Sequence, residues 1–160
     1  MKVIVVSGGF DPLHSGHISY FKDASEYGDR LIVALNSDDW LKRKKGKYFM
    51  PFLERKSIIE NLRNVDEVID FEDDETGSAT NALIKVKEIY PNDDIAFANG
   101  GDRSTDNIPE FGDGLFYDDV EFVFGVGGED KNGVFINSQF FKQCPGFTHI
   151  VIHIGDHPKE

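Results

Sequence analysis

The sequence predicts an α/β protein, a Rossmann-like three-layer α/β/α sandwich around a mainly parallel sheet. Three observations carry this expectation. Short apolar, often β-branched runs recur at 2–6, 30–35, 67–71, 95–98 and 120–124. Between most of them lie stretches whose apolar residues are spaced by three and four, the period of a helix face. The run from Arg30 to Leu35 is uninterrupted rather than alternating, as in strands covered by helices on both faces.

The elements follow in order. Lys2 to Val6 is a strand ending at Ser7-Gly8-Gly9, and helical spacing resumes near His17 with Ile18, Phe21 and Ala24 facing the core. Gly28 is expected to close this helix in a left-handed cap. After the second strand, Asn36-Ser37-Asp38 reads as a helix start, followed by a basic run over 42–47 and a longer helix from about Phe52 to Leu62 that buries Ile58, Ile59 and Leu62. Glu67 to Phe71 is the third strand, and Glu72 to Glu75 form a solvated acidic loop. Helical periodicity from Ala79 to Tyr90 stops at Pro91-Asn92-Asp93, and strands follow at Ile95 to Ala98 and Val120 to Phe124. Right-handed crossovers would bring Gly8, Asn36, Asn99 and Gly125 together at the carboxyl edge, where such sheets bind ligands. Beyond Gly133 the pattern reduces to one alternating stretch, Thr148 to Ile154, with a frayed Lys159-Glu160 end.

A length of 160 residues fits one domain, 1–160, with a core over about 1–125 and a C-terminal extension. Lys and Arg number 17 against 29 Asp and Glu, a net charge of -12, which is the wrong sign for a nucleic-acid backbone or an anionic membrane. Any phosphate site in such a chain needs a local concentration of positive groups and a divalent cation. The first apolar stretch is too short for a signal-peptide core or a membrane span, and Cys144 is the only cysteine, so a cytoplasmic protein without disulfides is expected.

The turn after the first strand reads Gly8-Gly9-Phe10-Asp11-Pro12-Leu13-His14-Ser15-Gly16-His17. Glycines let a main chain approach a phosphate, and a helix start offers unpaired N–H groups with partial positive charge. His14 and His17 are three apart, which places both imidazoles on one side of the first helical turn. Read without function, the same two residues are polar caps of a helix.

This segment resembles the HxGH signature of the cytidylyltransferase-like nucleotidyltransferases, whose members include glycerol-phosphate cytidylyltransferases and the adenylyltransferase domain acting on heptose phosphate. The resemblance extends more loosely over roughly the first 125 residues. It implies that His14 and His17 contact a triphosphate and stabilise charge during attack on its α-phosphorus, within a site that includes Gly8, Gly9, Phe10 and Asp11. It implies phosphate-binding lysines in the basic run, with Lys44 and Lys45 nearest the family's pattern, and Arg55 and Arg63 as phosphate helpers. Arg55 equally fits a role in orienting the lysine segment. Asn99-Gly100-Gly101-Asp102-Arg103 resembles the family's GGD segment beside the nucleoside, so Gly101, Asp102 and Arg103 join the candidate nucleotide site.

The implied reaction moves CMP or AMP from CTP or ATP, with Mg2+, to a phosphorylated sugar, polyol or small alcohol and releases pyrophosphate. The implied assembly is a homodimer. One segment departs from the family. Relatives open a late helix with a basic residue and a Ser/Thr cluster, whereas this chain reads Glu129 to Ser138 with only Lys131 and Ser138 in kind. A nucleotide-binding module without turnover therefore stands beside the enzyme reading. No protein metal site is expected, because His149 and His153 lie about 13 Å apart along an extended strand and His14 and His17 have no convincing further ligands.

Overall fold

The computed structural model describes residues 1–100 and 119–127. Five strands, β1 (Lys2–Gly8), β2 (Arg30–Leu35), β3 (Glu67–Asp70), β4 (Asp94–Gly100) and β5 (Val120–Val126), form one sheet in the order β3-β2-β1-β4-β5. Every neighbouring pair is parallel, from Val33 beside Val68 through Val6 beside Val33 to Phe97 beside Phe122. The helices are α1 (Ser15–Ser25), α2 (Asp38–Lys45), α3 (Phe52–Glu60) and α4 (Thr80–Ile89).

Alternation along each strand divides the core into two layers. Val3, Val5, Ile32 and Ala34 pack with Ala82, Leu83 and Val86 of α4, while Ile4, Val6, Leu31, Val33 and Leu35 pack with Phe21 and Ala24 of α1 and Ile59 of α3. Both faces of the sheet are thus covered, which is why its strands can be apolar throughout. Chain order reverses between β1 and β4, and the carboxyl edge at such a switch point is where sheets of this kind bind ligands.

Local chemistry explains the boundaries. Ser37 caps α2, its Oγ accepting from Trp40 N at 3.0 Å, and Gly46 ends that helix at φ 82°. The basic run therefore lies on a helix for most of its length. Other expectations are corrected. α1 ends at Ser25 with Glu26 as its right-handed cap, so Gly28 is no left-handed cap; a Cβ there would sit 2.7 Å from the Lys2 carbonyl oxygen and 2.8 Å from Ile4. Gly28 is required by close packing against β1. Ile18 and Ile58 are exposed rather than core residues, because α1 and α3 each turn only a narrow stripe inward. Candidate residues Gly101, Asp102, Arg103, Lys131 and Ser138, the late Glu129 to Ser138 segment and the Thr148 to Ile154 stretch lie outside the described residues.

Candidate functional site at the carboxyl edge

The turn from β1 into α1 carries the two histidines at adjacent capping positions. His14 is the N-cap, and its Nδ1 accepts from Gly16 N at 3.1 Å. His17 occupies the third helical position, and its Nδ1 accepts from His14 N at 3.2 Å. The capping reading is therefore correct, and it does not exclude function. With each Nδ1 accepting, the neutral tautomer carries its proton on Nε2. The rings stack with centroids 3.7 Å apart and planes 20° from parallel.

Phe10 supports this pair from below. Its ring meets His17 edge-on at 5.1 Å and Phe21 at 4.8 Å. Its backbone lies at φ 48°, in the left-handed region that bulky residues rarely enter, at a cost of about 1–3 kcal/mol. Phe10 is buried, so its side chain is a core plug under His17. The two glycines are likewise packing positions. A Cβ on Gly8 would fall 2.9 Å from Phe10 Cζ, and one on Gly9 would fall 2.6 Å from Leu41 Cδ2 and 3.1 Å from Trp40 Cζ3. Gly8 admits the phenyl ring, and Gly9 admits α2.

Asp11 is engaged within the protein. It is buried, and its carboxylate accepts from Phe49 N at 2.6 Å and Met50 N at 2.7 Å. It therefore fastens the α2–α3 loop to the histidine turn. Its own carbonyl oxygen accepts from Lys45 Nζ at 2.9 Å, which holds that ammonium beside the imidazoles. Lys44 points elsewhere, with its Nζ 4.6 Å from the centre of the Trp40 ring.

Arg55 is fully buried. Nε donates to Met50 O at 2.9 Å, one terminal nitrogen to both Gly9 O and Asn36 O at 2.8 Å, and the other to Asp38 Oδ1 at 2.7 Å. It is corrected from phosphate helper to internal strut, since its donors are engaged by the protein. Arg63 is corrected for position: it is exposed in the connection from α3 into β3, at the amino edge of the sheet opposite the histidines.

Asn36 is at the carboxyl edge as expected, whereas Asp38, Trp40 and Asp73 carry no site signal in their sequence pattern. Asn36 Nδ2 donates to Asp73 Oδ1 at 3.0 Å, and Ser37 Oγ donates to Asp73 Oδ2, which ties the end of β2 to the loop after β3. The one available signal was charge: Asp38 is an acid that a buried Arg55 requires.

Electrostatics follow from this packing. Burial first, then His14 and Lys45, hold the His17 imidazolium well below its ordinary value of 6.5; burial and Lys45 lower His14. Burial also lowers Lys45, opposed by Asp11 and reinforced by Arg55. The free site thus presents neutral imidazoles.

Two measurements check this construction. Arg55→Met leaves the acceptors of Gly9, Asn36, Met50 and Asp38 without their cation, and should lower stability by about 3–5 kcal/mol in urea unfolding. Arg55→Lys should recover only a minor part, because one ammonium lacks the planar fork. For pH, both histidines have folded pKa values below the unfolded 6.5, so the unfolded chain takes up protons first. Their contribution is intact above pH 6.5 and is lost as pH falls from there toward the folded values. Replacing both with Asn should flatten the stability slope in that window.

Comparison with known proteins follows the same edge. The cytidylyltransferase-like family matches residues 5–113. The bifunctional protein HldE of Erwinia tasmaniensis is 38% identical over 143 residues, covering 82% of this chain and 29% of that protein. HldE of Salmonella arizonae is 38% identical over 112 residues, covering 63% and 24%. The chain spans less than a third of these relatives' length. A solved lipopolysaccharide core biosynthesis protein from Thermoplasma volcanium superposes with a TM-score of 0.58 at 27% identity, covering 78% of this chain and 95% of that one. A putative nicotinate-nucleotide adenylyltransferase from Vibrio parahaemolyticus shares the fold, with a TM-score of 0.51 at 17% identity, covering 79% and 77%. With its switch-point topology, its paired histidines and this match across most of the described core, the chain belongs to the cytidylyltransferase-like nucleotidyltransferases.

Proposed function

We propose that the carboxyl edge transfers a nucleoside monophosphate from ATP or CTP to a phosphorylated sugar, polyol or small alcohol. The observation that carries this reading is the stacked His14–His17 pair, with both Nδ1 atoms held by caps and Lys45 fastened beside them. Nucleotidyl transfer depends on alignment and on donors aimed at developing negative charge, and this arrangement supplies both. The cytidylyltransferase-like family match over residues 5–113 and the length shared with the HldE relatives support the same chemistry.

A phosphate monoester with a second pKa near ~6 is already ionised at neutral pH, so no strong general base is required. An acceptor phosphate oxygen attacks the α-phosphorus in line. One P–O bond forms there as the bond to the β-phosphate breaks, and pyrophosphate leaves with the electron pair. The Nε2–H groups of His14 and His17 and the Lys45 ammonium donate to the oxygens that gain charge.

Among the described residues no group of three or more His, Cys, Asp or Glu is arranged to hold a metal ion. The edge carboxylates of Asp11, Asp38 and Asp73 all accept hydrogen bonds within the protein. Magnesium enters this reading with the nucleotide substrate. Residues 1–160 are proposed to act as one domain and to pair as a homodimer, and no helix among the described residues is long and apolar enough to cross a membrane.

Pyrophosphate release across ATP, CTP and a set of phosphorylated acceptors tests the proposal. One pair should give turnover, and His17→Ala should lower kcat by roughly 100- to 1,000-fold. Nucleotide binding without pyrophosphate from any pair would overturn the enzyme reading in favour of a binding module, which the altered Glu129 to Ser138 segment favours.

A further inference from the structure

Helix α1 carries both histidines, so whatever sets its rotation also aims them. Phe21 and Ala24 bury against the layer that holds Ile4 and Leu31. Apolar contact of this kind is non-directional: it fixes how deeply a helix sits and leaves its rotation and slide to be set by something else. An imidazole about 5–6 Å from a helix axis moves roughly 1 Å for every 10° of rotation. Displacements of that size are enough to spoil the alignment that transfer chemistry requires.

A directional contact is present one turn beyond His17. Tyr20 is three residues on, hence on the same side of α1, and its hydroxyl donates to the carbonyl oxygen of Ala98 in β4. That carbonyl lies where the pairing of β4 with β5 slips: Ala98 stands beside Val123, but Gly100 stands beside Val126. Such irregularities disrupt the ladder locally and bend the strand.

The Tyr20 ring is seated by two glycines. A Cβ on Gly100 would fall 3.2 Å from Tyr20 Cε2, and one on Gly127 would fall 3.0 Å from Tyr20 Cα. Gly127 adopts φ 87°, which favours glycine on its own account. The ends of β4 and β5 therefore form a slot that admits this ring and leads its hydroxyl to Ala98.

We infer that Tyr20 is a positioning residue: its hydroxyl, anchored on Ala98 where β4 and β5 lose register, sets the rotation of α1 and so the place of the His17 ring at the switch point. The inference rests on the nucleotidyl-transfer reading for its effect on rate. His17 is proposed there to act on charge that develops during transfer, so misplacing it lowers kcat and leaves nucleotide KM nearly unchanged.

The test uses the full chain with Tyr20→Phe, which keeps the ring and removes the hydroxyl. In the free protein the His17 imidazole 15N signals should move. In pyrophosphate release kcat should fall by about 10- to 100-fold, with nucleotide KM within about twofold. Tyr27→Phe, at an exposed tyrosine just past the end of α1, should change neither. Gly100→Ala is a second, independent variant, since it crowds the ring while keeping the hydroxyl, and it should move the same His17 signals. If Tyr20→Phe does not fold, Gly100→Ala decides. His17 signals that stay in place in the folded variants, or a Tyr20→Phe kcat within about twofold of the parent, overturn the assignment. The two readings fail separately. Turnover that Tyr20→Phe does not lower removes the positioning role and keeps the transfer reaction; His17 signals that move in a chain releasing no pyrophosphate keep the positioning role and remove the reaction.

Discussion

The buried guanidinium of Arg55 is the constraint on which the carboxyl edge depends. Removing a cation from water costs several kcal/mol, which only well-placed partners offset. Here the partners come from four segments: Gly9 after β1, Asn36 after β2, Asp38 at the start of α2 and Met50 before α3. None of these segments can move far without stranding a buried donor or acceptor. The histidine turn, the basic helix and the loop between α2 and α3 are therefore one mechanical unit. Asp11 closes the same unit from the other side through Phe49 N and Met50 N.

Capping and the proposed phosphate contacts use different atoms of the same imidazoles. Each Nδ1 is committed to the helix start, which orients the ring and selects the tautomer with its proton on Nε2. A side chain held by its fold in this way does not lose rotamer freedom again when ligand binds, which is the basis of preorganised electrostatic stabilisation. The neighbouring glycines serve the same end indirectly, because Gly8 and Gly9 let Phe10 and α2 pack close enough to support the rings.

Much of this was legible in the sequence where the signal is local. Apolar runs located the five strands of the described residues, Ser37 marked the start of α2, and the GGFDPLHSGH turn marked the candidate site. What escaped depends on segments meeting in space. Arg55 looks like any charged helix residue until the carbonyls of Gly9 and Asn36, 46 and 19 residues away, converge on it. Gly28 resembles a helix cap, but its constraint is the Lys2 carbonyl across the layer boundary. Arg63 shares a helix-to-strand segment with family-like residues, yet parallel topology places that connection at the far edge. Trp40 carries no motif, and its place against Gly9 and Gly77 follows from the way α2 docks on the turn.

The most direct measurement is imidazole 15N NMR of the full chain, whose five histidines make the resonances tractable, during titration with magnesium ATP and magnesium CTP. Polyphosphate charge favours imidazolium, so the His14 and His17 signals should shift with nucleotide occupancy and their titration midpoints should rise. Nucleotide binding detected by calorimetry with both histidine signals and midpoints unchanged would contradict the account.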